Sequence, residues 1–111
     1  MSLKAIGKAM AKELMETKEY QRMNKKRKEL YTHPKLSTPV KNYEAKQVKI
    51  VNMSTSPEKK QSLMTSLAKE YQGLLVTREM KEYRNAIDEF QRKTFAVFNE
   101  LNVEISKIIN P

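Results

Sequence analysis

Chemistry in this chain of 111 residues has few side chains to rest on: there is one His, His33, one Asp, Asp88, and neither Cys nor Trp. The missing thiols exclude disulfides, thiolate zinc sites, cysteine nucleophiles and an iron–sulfur cluster held by the chain's own thiols. A serine triad would need His33 beside Asp88 or a Glu, and no nucleophile-elbow pattern surrounds any Ser. Gly7 and Gly73 are the only glycines and stand 66 residues apart, so no glycine-rich phosphate loop or dinucleotide fingerprint can be written. His33 precedes Pro34 in a connection, with no second His to complete a metal site. The expectation is a protein that is not an enzyme and carries no cofactor or metal.

The remaining chemistry is charge. Arg22, Lys25, Lys26, Arg27 and Lys28 form a run that can meet phosphates or an acidic partner, and binding of that kind weakens steeply with salt. A solvated helix face explains the same run, since contiguous charge is usually exposed. Residues 1–31 hold nine Lys or Arg against four Glu, whereas residues 77–111 balance six against six, so the formal +9 lies in the first two-thirds of the chain. A basic part joined to a neutral part suggests a partner-facing end and an assembling end, with a simple solubility charge as the competing reading. Tyr20, Tyr31, Tyr43, Tyr71 and Tyr83 can stack bases in principle, but their helical apolar spacing makes them core positions. The seven methionines suit adaptable contacts or ordinary core filling.

These residues are positioned by helices. Apolar residues recur at three and four rather than two, which predicts an all-α fold: an extended antiparallel helical hairpin or bundle of three to five helices in a single domain spanning 1–111. A basic first segment over about 2–31 places Ile6, Ala9, Met10 and Leu14 on one face, followed by Tyr20, Met23, Leu30 and Tyr31. Thr17 can break it into a pair, and Pro34 ends it. The second helix is expected over 38–53, with Thr38 and Pro39 as N-cap and first residue. The third is expected over 57–73, capped by Ser56 or, in another register, Thr55. Gly73 serves either as a left-handed stop or as an internal helical glycine.

Thr77 caps a long last helix over 78–109. Its stripe is Met80, Tyr83, Ile87, Phe90, Thr94, Val97, Leu101, Ile105 and Ile108, a near-heptad seam flanked by Ala86, Phe98, Val103 and Ile109. Opposite charges at four-residue spacing pair Arg78 with Glu82, Arg84 with Asp88, Asp88 with Arg92 and Glu89 with Lys93 on the other face. Thirty-two residues span roughly 48 Å as a helix, while a compact chain of this size has a radius of gyration near ~13 Å. The stripe therefore needs a second copy, and a twofold homodimer is the first expectation. No stretch nears the ~20 apolar residues of a membrane span. Ser2-Leu3-Lys4 opens no apolar leader, so no membrane contact and a cytoplasmic location are expected.

Thr77-Arg78-Glu79-Met80-Lys81-Glu82-Tyr83-Arg84-Asn85-Ala86, running on through Phe90 and Phe98 to Leu101-Asn102-Val103-Glu104-Ile105, resembles the C-terminal helix of the YlbF/YmcA/YheA family of small helical bacterial proteins. Ala9 to Leu14 followed by Thr17-Lys18-Glu19-Tyr20 is similar to that family's opening helix and junction, and Tyr43 with Gln47 to its middle helix. The resemblance implies an oligomerising regulatory adaptor without enzymatic chemistry. It also implies sibling family proteins or RNase Y as partners, in control of competence, sporulation or biofilm through transcript processing. Some regulatory members carry cysteines associated with an iron–sulfur cluster; this chain has none, so that property does not transfer. A small basic nucleic-acid-binding protein is the alternative.

Overall fold

A computed structural model describes residues 2–110, and every regular element among them is helical. In chain order these are α1 Leu3–Met15, α2 Lys18–Tyr31, α3 Ser37–Val51, α4 Pro57–Glu70, α5 Gln72–Leu75 and α6 Arg78–Ile109. Six exceeds the expected three to five because the opening segment is a pair and because α5, only four residues long, separates from α4 at Tyr71. Contacts divide the chain into two compact units, Met1–Lys25 with Tyr83–Pro111 and Lys26–Glu82, a subdivision the sequence did not suggest. The helices α2 and α6 each contribute residues to both.

Two junctions are made by the same device. At Thr17 the hydroxyl donates to the Leu14 carbonyl at 2.6 Å and accepts the Tyr20 N–H at 3.2 Å. At Thr77 the hydroxyl donates to the Leu74 carbonyl at 2.7 Å and accepts the Met80 N–H at 3.3 Å. One oxygen thus meets an orphan carbonyl of the helix that ends and an orphan N–H of the helix that begins. The local sequences match: Leu14, Thr17, Lys18 and Glu19 correspond to Leu74, Thr77, Arg78 and Glu79. Glu19 and Glu79 sit in the first turns of α2 and α6, where the helix dipole favours a carboxylate.

In the second unit, α3 and α4 form an antiparallel hairpin. Lys46 pairs with Glu70 at 2.8 Å near its open end, and Lys60 Nζ donates to the Val51 carbonyl at 2.9 Å near its tip. Ser56 caps α4 by accepting the Lys59 N–H, which selects Ser56 over Thr55. Leu30, Val40, Tyr43, Leu67, Leu74 and Met80 are buried in this unit, with the Tyr43 and Tyr71 rings 5.4 Å apart.

The start of α3 corrects the expectation of a Thr38 cap. The helix begins at Ser37, and Leu36 before it provides no side-chain cap. His33 instead accepts the N–H groups of Lys35 and Leu36 on Nδ1, both at 3.0 Å, while its carbonyl takes the Ser37 N–H. With its acceptor role filled three residues upstream, Pro39 simply occupies the first turn, where a missing N–H costs nothing. Gly73 is likewise corrected as a stop: no residue among those described has positive φ, and Gly73 lies inside α5.

The first unit is sparsely filled. Tyr20 meets Phe90 edge-on with ring centroids 5.4 Å apart, and Arg22 reaches Glu89 at 2.9 Å, so α2 runs antiparallel to α6 there. Met23, Tyr83 and Ala86 are buried, but α1 contributes no buried residue.

Thr77→Ala should cost about 1 kcal/mol in denaturant unfolding and Thr77→Ser much less, since Ser keeps the bridging oxygen. Leu30→Ala, which empties a fully enclosed position, should cost about 2–5 kcal/mol in the same measurement.

Candidate functional site

No three His, Cys, Asp or Glu side chains converge in a metal-binding arrangement among the described residues. His33 spends Nδ1 on the backbone. The tyrosines pack: Tyr43 and Tyr83 are buried, Tyr20 and Tyr71 make the ring contacts above, and Tyr31 donates to Glu44 at 2.9 Å. What stands out is apolar surface.

Burial along the α6 stripe falls steadily. Met80 and Tyr83 are 3% and 2% exposed. Ile87, Phe90, Thr94 and Val97 are half-buried. Leu101, Ile105 and Ile108 reach 42%, 43% and 79% exposure. The expected nine-residue assembly seam is therefore corrected at its beginning: Met80 and Tyr83 belong to the chain's own core, and Phe90 is engaged by Tyr20. The surface available to another molecule starts near Thr94. Phe98 and Ile109 extend it on one flank, while Phe95 and Val103 are exposed further round the helix.

A second apolar surface adjoins it. Ile6, Ala9, Met10 and Leu14 of α1, with Glu13, Thr17 and Val97, line an open groove of about 470 Å³. These α1 positions share one face because they recur at three and four. That spacing was visible in the sequence; that nothing would bury the face was not, because a short amphipathic helix normally hides its stripe.

The basic run is dispersed rather than gathered. Arg22 is paired with Glu89 at 2.9 Å, and Lys26 lies 3.0 Å from Glu82 and 3.7 Å from Glu29. Arg27 is half-buried, in the register of Met23 and Leu30, leaving Lys25 and Lys28 exposed. The same pairs revise the charges expected along α6. Asp88 does pair with Arg92 at 2.9 Å, but Glu82 and Glu89 reach across to α2, and Arg78 lies against Glu79. Long side chains on neighbouring helices compete with four-residue partners, and here the neighbours win. Elsewhere, Glu70 accepts a hydrogen bond from Lys46 and holds its ammonium above the usual lysine range, with Tyr71 adding to the effect. That raised value makes the pair's small contribution constant around neutrality and lost only as pH climbs past the ordinary lysine range.

No helix among the described residues is long and apolar enough to cross a membrane. The fold and its surface define an all-helical protein with an exposed apolar stripe on its long last helix. The family described as control of competence regulator ComK, YlbF/YmcA, matches residues 5–110, and the chain belongs to it. It is a family of regulatory, competence-control proteins. No curated protein and no solved structure matches the chain.

A double-mutant cycle on Arg22→Ala and Glu89→Ala should give a coupling energy under about 1 kcal/mol, because both side chains are substantially exposed. A larger coupling would mean that this pair, not apolar packing, orders the first unit.

Proposed function

We propose that the protein is a non-enzymatic regulatory adaptor that works by assembling with copies of itself and with other proteins in the cytoplasm. The observation that carries this reading is the stripe from Leu101 to Ile109, exposed on a helix of 32 residues in a chain of the competence-control family. Contiguous apolar surface of this kind marks interaction sites. Within that reading, sibling family proteins or RNase Y are the partners, and competence, sporulation or biofilm development the processes, reached through RNase Y-dependent transcript processing.

A second reading has its own observation. Lys26–Glu82 carries twelve Lys or Arg against six Glu, so most of the net charge lies in the unit built on the α3/α4 hairpin. Such a surface suits a nucleic acid, with the exposed Lys28 of the basic run among its charges.

Affinity capture of the tagged protein from its own cells, with and without nuclease, separates the two. The adaptor reading expects RNase Y or sibling family proteins to be recovered whether or not nuclease is added. Recovery only of nucleic-acid-associated proteins, all lost on nuclease treatment, would replace it with the second reading.

A further inference from the structure

The exposed part of the α6 stripe has an internal symmetry. Thr94, Val97, Leu101, Ile105 and Ile108 are spaced three, four, four and three, a sequence of intervals that reads the same in both directions about Leu101. A helix with that spacing is complementary to itself in antiparallel orientation: Leu101 meets Leu101 of a second copy, Val97 lies opposite Ile105, and Thr94 opposite Ile108. Smaller side chains then face larger ones, as close packing between helices requires. A contact in which the same patch serves both partners is what a twofold axis produces.

We infer that a second copy of this chain occupies this face, with a twofold axis at Leu101, and that each copy's Ile105–Ile109 end lies over the α1 groove of the other. This deepens the homo-assembly part of the proposed function and rests on it. Three observations support the α1 contact. Val97, placed opposite Ile105 by the axis, itself lines the groove with Met10 and Leu14. The uncovered end of α6 from residue 98 to 109 is about 18 Å long, and α1 with thirteen residues is about 20 Å, so one covers the other along its length. Leu3 and Ile6 of α1 and Phe98, Leu101, Ile105, Ile108 and Ile109 of α6 are all at least 40% exposed, so both surfaces have apolar area left for the contact to cover.

Charge agrees with the choice of occupant. Residues 94–110 contain Glu100, Glu104 and Lys107 and no other charged side chain. Two copies of a chain of net charge +9 repel, and a contact through its near-neutral segment keeps that repulsion small.

The chain has no native cysteine, so single introduced thiols report contacts without background. Three variants at accessible or half-buried positions, Leu101→Cys, Ile105→Cys and Met10→Cys, are compared under mild oxidation, with helicity checked by circular dichroism. Leu101→Cys should form a disulfide-linked dimer with itself, because the axis brings the two sulfurs together. Ile105→Cys alone should not, because its two copies lie about 12 Å apart along the helices, beyond the ~7 Å between Cα atoms that a disulfide tolerates. A mixture of Ile105→Cys and Met10→Cys chains of different mass should give the mixed dimer. Leu101→Glu should weaken dimerisation more than about tenfold by light scattering while leaving helix content unchanged, since it sets two carboxylates against each other.

A dimer in which Ile105→Cys links to itself and Leu101→Cys does not would overturn the twofold arrangement while leaving homo-assembly intact. A dimer with the Leu101 link but no mixed Met10 link would overturn the α1 contact. A monomer at tens of micromolar, or a chain that associates only with a sibling family protein, would overturn both the inference and the homo-assembly on which it rests.

Discussion

A helix can bury its apolar face only where other helices lie along it, and α6 is longer than the run of helices its own chain supplies. Met80 is buried in one unit and Tyr83 and Ala86 in the other. Beyond Val97 the stripe continues in sequence but not in burial. The two units differ accordingly. Six of the nine buried apolar residues described lie in Lys26–Glu82, whereas ten of the fourteen exposed large ones lie in the other unit. Folding of the hairpin unit has its own core to drive it; the three-helix unit has a face that water solvates poorly.

Electrostatics is arranged around this division rather than competing with it. Glu82 and Glu89 sit on the side of α6 toward α2 and neutralise Lys26 and Arg22. Being exposed, these pairs add little stability, but they favour one register between α2 and α6 over its neighbours. The stretch of α6 that lacks such partners is also the stretch with few charges. Charge marks where the two helices meet, and its scarcity coincides with the stretch of α6 left exposed.

Much of this was legible from residue types. The spacing of apolar positions gives the helices, and Ser56-Pro57 and Thr77 give two of their starts because a short oxygen-bearing side chain before a helix has one economical use. Thr17 was legible only as an option, since a threonine within a helical pattern can donate to a carbonyl without ending the helix. Thr38-Pro39 misled because the same local rule was satisfied earlier, by an imidazole that propensity does not count among caps. The contact face was the harder part. Met80 and Ile108 are equivalent in the stripe's periodicity, and only the placement of other helices separates core from surface. The ion partners of Glu82 and Glu89 were beyond reach for the same reason: spacing along one helix says nothing about the helix beside it.

The junction at Thr17 carries a consequence for how such a chain can change. It turns the backbone without glycine, proline or a left-handed residue, using the Thr17 hydroxyl and the Gln21 amide within a right-handed path. A continuous helix is therefore separated from a broken one by a few local hydrogen bonds, of which the Thr17 hydroxyl makes two and the Gln21 amide, donating to the Met15 carbonyl, one. Replacing a junction of this kind disturbs no fully buried side chain of α1, which has none. The opening helix is in that sense a separable part: its path can be reset by point substitution, changing the shape of the groove it lines, while the core of the hairpin unit is left untouched.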